Sequence, residues 1–98
     1  MKKNIRDKNL DELFKSILML ETIDDCYDFF EDLCTVNELN SFSQRFEVAR
    51  MLDRKCVYTD IASKTGASSA TISRVSRSLT YGKGGYQKAL EMIKNNNK

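Results

Sequence analysis

The chain has no histidine, no proline and only four glycines in 98 residues. Without an imidazole, a Ser–His or Cys–His catalytic pair is excluded. The three cysteines, Cys26, Cys34 and Cys56, are odd in number and form no C-x-x-C pair. With no histidine to join them, they read against a zinc site and against a disulfide framework. They are expected to be free thiols acting as small apolar fillers in a reducing cytoplasm. There is no glycine-rich phosphate loop and no pair of carboxylates beside a nucleophile, so the chain does not read as an enzyme and calls for no cofactor. No apolar run reaches the length of a membrane span. The opening MKKNIRDKNLDELF is basic but leads into no apolar stretch, so it does not read as a signal peptide.

The absence of proline and the scarcity of glycine favour helix throughout. Three of the glycines, Gly82, Gly84 and Gly85, fall in one stretch. The length suits one domain that can just bury its own core. Net charge is only +2, but it is unevenly spread. Residues 1–56 hold nine Lys/Arg against twelve Asp/Glu, a balance of –3; residues 57–98 hold seven against two, a balance of +5. Between Lys15 and Arg45 there are seven acidic residues and no basic one. One end of the molecule should attract phosphates and the other repel them.

Apolar spacing predicts six helices. A polar, mobile arm over residues 1–8 precedes a helix from about Asp7 to Leu20, traced by Leu10, Leu13, Phe14, Ile17, Leu18 and Glu21. Thr22 with Asp25, and Thr35 with Glu38, resemble capping boxes that start the second and third helices. The second carries Cys26, Tyr27, Phe29, Phe30 and Leu33 around more than one face, and is expected to be buried on several sides. The third runs from about Val36 to Arg54, with Leu39, Phe42, Phe46 and Ala49 on its stripe. TYGKGGY at 80–86 reads as a loop, Tyr86 to Lys94 as a last helix with Leu90 and Ile93 inward, and residues 95–98 as a tail.

Residues 57–79, VYTDIASKTGASSATISRVSRSL, carry the most specific signal. Ile61 and Ala62 sit on a short helix, Ala62 being small enough for another helix to cross closely. Gly66 supplies a left-handed turn. Ser68 caps the next helix, which Ile72, Val75 and Leu79 anchor to the core. The first helix starts near Val57 and Tyr58 without a good cap, leaving Thr59 to cap one turn later or the first turn to fray. With Ile72 at 0° and about 100° per residue, Ala70, Ser73, Arg74 and Arg77 fall roughly between 100° and 200°, on the outer face. Small residues permit close approach and arginine forks to guanine or phosphate, so this is the pattern of a DNA-binding helix-turn-helix. The expected double-stranded DNA contacts are Thr59, Ser68, Ser69, Ala70, Ser73, Arg74 and Arg77. The rival reading is a helical protein-interaction module that binds a transcription partner through the hairpin or the acidic 21–38 surface.

The apolar residues exceed what a six-helix monomer of this length hides easily, and Leu10, Leu13, Phe14, Ile17 and the ring-rich second helix suit a homodimer interface. Residues 10–94 resemble the Trp repressor superfamily, most closely its TrpR-like YerC/YecD branch. LCTVNEL at 33–39, QRFEVARML at 44–52, TGASSATISRV at 65–75 and SLTYG at 78–82 carry the resemblance. It implies an all-α, intertwined homodimer with one recognition helix per subunit, a regulator of transcription and by expectation a repressor. In the Trp repressor two arginines clamp tryptophan; Arg45 and Arg74 fall on those positions, and Thr35 and Ser78 on two more pocket positions. The residue after the second arginine is glycine there and Val75 here. A branched side chain should narrow that space, so any small-molecule effector is not expected to be tryptophan.

Overall fold

The computed structural model describes residues 5–96. These residues form six helices: α1 (Lys8–Leu18), α2 (Ile23–Leu33), α3 (Val36–Asp53), α4 (Tyr58–Thr65), α5 (Ser69–Tyr81) and α6 (Gly85–Asn96). No strand occurs among the described residues, so the chain is all-α as the sequence predicts. Two ends differ from expectation. Of the arm over residues 1–8, residues 1–4 lie outside the described residues, while Asp7 and Lys8 are structured: the Asp7 carboxylate accepts the Leu10 N–H at 2.7 Å and starts α1. Of the tail over residues 95–98, residues 97 and 98 lie outside, while α6 runs on through Asn96. No glycine or proline stands there to stop it.

The chain divides after Val36 into two compact units. The first holds α1 and α2. Thr22 caps α2 by accepting the Asp25 N–H at 3.0 Å. The Asp25 carboxylate returns to the Glu21 N–H at 3.3 Å, one residue earlier than a capping box requires. The Phe29 and Phe30 rings meet edge to face, 5.5 Å apart. Neither helix has a buried residue. Leu18 is 82% and Ile23 75% exposed, and Phe14, Met19, Tyr27 and Leu33 are exposed as well. A second helix buried on several sides is therefore not what one chain provides, because two short helices cannot enclose each other's side chains. Cys26 is exposed for the same reason and is no core filler.

The second unit holds the core. Val48, Ala49 and Met51 of α3 meet Ile61 of α4, Ala67 of the following turn, Ile72 and Val75 of α5 and Leu90 of α6. Cys56 packs against this cluster as the small apolar filler the sequence suggests. Helix α3 ends in a Schellman motif: Cys56 N–H donates to the Met51 carbonyl at 3.0 Å and Lys55 N–H to that of Leu52 at 2.9 Å. Lys55 takes the left-handed position, at φ 66°, where glycine is the usual occupant. Helix α6 is tied back by Lys94 to Asp53 at 2.8 Å and by Gln87 to the Leu79 carbonyl at 2.7 Å.

Candidate nucleic-acid interface

Local chemistry shapes the hairpin. Gly66 closes α4 at φ 73° and donates its N–H to the Ala62 carbonyl at 2.9 Å. A Cβ there would meet nothing nearer than Gln44 Nε2 at 4.0 Å, so glycine is demanded by the backbone angle and not by lack of space. Thr65 reinforces the turn: its hydroxyl donates to the Ile61 carbonyl at 2.7 Å and accepts the Ala67 N–H at 3.1 Å. Gln44 reaches across from α3 and donates to the Thr65 carbonyl at 3.1 Å. That bond fixes the turn to the long helix, and no pattern of apolar spacing reveals it.

Ser68 caps α5, its hydroxyl oxygen accepting the Thr71 N–H at 3.1 Å. Helix α4 has no such help. Val57 is its N-cap with no side-chain bond, and Thr59 lies inside the first turn instead of capping a later one. Helix α5 presents two distinct faces. Ile72 and Val75 are each 1% exposed, and Leu79 packs beside them. Ser69, Ala70, Ser73, Arg74 and Arg77 are exposed, as are Thr59 on α4 and the cap Ser68. The outward face of α5 thus carries two arginines among small residues and no acid, and the expected contact residues all lie in solvent. The helix is longer than expected. It continues through Thr80, whose hydroxyl donates to the Ser76 carbonyl at 3.1 Å, and through Tyr81. It stops at Gly82, where a Cβ would overlap the Ser78 carbonyl oxygen.

The residues matched to a ligand clamp are placed differently. Arg45 is half-buried on α3, with its guanidinium 5.2 Å from the Phe42 ring centroid on the same helix. Arg74 and Ser78 are exposed on α5, and Thr35 is exposed just before α3. Val75, the residue after Arg74, fills core space between the helices instead of leaving a gap. Among the described residues no group of His, Cys, Asp or Glu could hold a metal ion. No helix among them is long and apolar enough to cross a membrane.

Known proteins share this architecture. The family model described as Trp repressor protein matches residues 8–94. The chain is 54% identical over 90 residues to the uncharacterized protein YerC of Bacillus subtilis (strain 168), which spans 92% of this chain and 86% of that protein. A crystal structure of a candidate Trp repressor from Staphylococcus aureus superposes with a TM-score of 0.89 at 50% identity, covering 92% of this chain and 90% of the other. A TrpR-like protein from Eubacterium eligens ATCC 27750 gives 0.88 at 55% identity, covering 91% and 92%. Six helices, the α4–turn–α5 hairpin and these likenesses converge: the chain belongs to the Trp repressor family and, with YerC, to its TrpR-like branch.

Proposed function

We propose that the protein is a cytoplasmic, homodimeric regulator of transcription that binds specific double-stranded DNA through α5, acts as a repressor, and does so without tryptophan as corepressor. The observation that carries this reading is the two-sidedness of α5. Ile72 and Val75 lock one face into the core, while Ala70, Ser73, Arg74 and Arg77 stand in solvent on the other with no carboxylate among them. A helix so held can enter a major groove and read base edges with its N-terminal half, while a phosphate-facing charge sets register. The Trp repressor itself is one of the proteins in which that docking geometry is known. The reading is of a regulator and not an enzyme.

The homodimer is supported by α1 and α2, which have no buried residue and leave Phe14, Leu18, Ile23, Tyr27 and Leu33 exposed in a single chain. Each square ångström left wet forfeits about 25 cal/mol, and a second copy of the same face is the self-complementary way to recover it. A two-fold pair of α5 helices would favour a near-palindromic site with half-sites roughly 34–36 Å apart. Selection from a random duplex pool, followed by binding titrations at two salt concentrations, tests the reading. Arg74→Ala with Arg77→Ala should weaken binding and flatten its salt dependence. Wild-type affinity in that double variant would overturn the placement of the DNA face. The protein-interaction alternative, with the acidic 21–38 surface as working face, instead predicts no salt-dependent duplex binding at all.

A further inference from the structure

Helix α5 ends on Tyr81, which is 76% exposed. A ring this open at the end of a recognition helix is not packing against the core. On the same wheel that sets Ile72 at 0°, Tyr81 falls near 180°, in the middle of the outward face and in line with Ala70, Arg74 and Arg77. It stands four residues after Arg77, one turn further along the helix. Helical side chains lean toward the N-terminus, so the Tyr81 ring lies over the turn that bears Arg77. The Arg77 guanidinium carbon sits 5.9 Å from the ring centroid, within cation–π reach.

We propose that Tyr81 is a positioning residue of the DNA-binding face, holding the Arg77 guanidinium ready for a backbone phosphate at the outer end of the recognition helix. The assignment rests on the DNA-binding reading above and adds a residue to it. At about 1.5 Å per residue, Tyr81 stands roughly 16 Å along the axis from Ala70. That exceeds the roughly 12 Å width of a major groove, so the C-terminal turn meets the sugar–phosphate wall and not base edges. An arginine there has four flexible torsions, and fixing them on binding costs conformational entropy. Tyrosine has only two and can hold its neighbour cheaply. Gly82, whose Cβ would overlap the Ser78 carbonyl, stops the helix directly after the ring. Tyr81 is thereby left at the rim, without a following turn to cover it.

The test is a set of duplex titrations with the full chain: wild type, Tyr81→Leu, Tyr81→Phe, Arg77→Ala and the pair Tyr81→Leu/Arg77→Ala. Circular dichroism and thermal midpoints confirm folding. Tyr81→Leu should weaken binding on the order of two- to fivefold, the range of exposed cation–π contacts. Tyr81→Phe keeps the ring and should stay within about twofold of wild type. In the Arg77→Ala background Tyr81→Leu should have no further effect, because the side chain it positions is gone. Wild-type affinity in Tyr81→Leu overturns the inference. So does a loss in Tyr81→Phe as large as in Tyr81→Leu, or an undiminished effect once Arg77 is absent. If the wild-type protein binds no duplex, the DNA-binding reading falls and this inference with it. Binding that depends on Arg77 but ignores Tyr81 removes the inference alone.

Discussion

Ser68 offers a way to separate the stability of α5 from its proposed meeting with DNA. Its hydroxyl oxygen accepts the Thr71 N–H at 3.1 Å and its hydroxyl pairs with that of Thr71, also at 3.1 Å. Ser68→Ala removes the acceptor and leaves the amide to water, at about 1 kcal/mol. In a domain of this size that lowers the melting midpoint by roughly 4–8 °C. Ser68→Asp keeps an acceptor in place and sets a negative charge on the helix N-terminus, adding about 0.3–1 kcal/mol. Its effect on DNA has the opposite sign. A new charge roughly 7 Å from a phosphate costs about 0.6 kcal/mol in water. Two such phosphates give about 1 kcal/mol, or roughly a fivefold loss of affinity at low salt, fading as salt screens it. Ser68→Thr should preserve both properties. Thermal melts by circular dichroism and anisotropy titrations at low and moderate salt measure the two axes. An aspartate variant that melts as high as wild type and binds DNA equally well at low salt would falsify the proposal that the start of α5 approaches DNA. An alanine variant with an unchanged midpoint would show that the cap contributes nothing.

Three further outcomes are expected. Lys55→Gly should raise stability by about 1 kcal/mol, because a left-handed residue at φ 66° becomes unstrained; a lower melting midpoint would refute this. Leu18→Glu should shift the protein from dimer to monomer in light scattering at micromolar concentration, since Leu18 is exposed in one chain and charge cannot be buried cheaply in an apolar interface; an undisturbed dimer would place the interface elsewhere. L-tryptophan should give no saturable heat with the native protein and no change in DNA affinity, while Val75→Gly should cost a kcal/mol or more in stability and open space beside Arg74; binding heat with tightened operator affinity in the native chain would overturn the account.

The hairpin was legible because its signals are local. Gly66, Ser68 and the Ile72–Val75 spacing each act within a few residues, and each does in the structure what its chemistry suggests. What escaped depends on distance or on assembly. Val48 and Met51 are core residues of α3. Apolar side chains surround that helix on several sides, so the stripe of Leu39, Phe42, Phe46 and Ala49 did not single them out. The Gln44–Thr65 bond spans 21 residues and leaves no periodic trace. Thr80 and Tyr81 looked like the start of a loop because they adjoin Gly82. The back-bond from Thr80 to the Ser76 carbonyl instead accompanies two more helical residues, Thr80 and Tyr81. The aromatic second helix departs from expectation for another reason: composition tells that a surface wants cover, but not whether the cover comes from the same chain.

The buried side chains among the described residues, from Val48 to Leu90, all belong to the unit that follows Val36. Amide exchange should therefore be uneven. Protons in the second half of α3 and in α4 and α5 would exchange slowly, through global opening, whereas those of α1 and α2 would exchange through cheap local opening. If a second copy covers α1 and α2, their protection alone should climb with protein concentration. On the proposed reading, the element that would read DNA acquires its rigidity from its own core, and the element that would pair acquires its rigidity only in company.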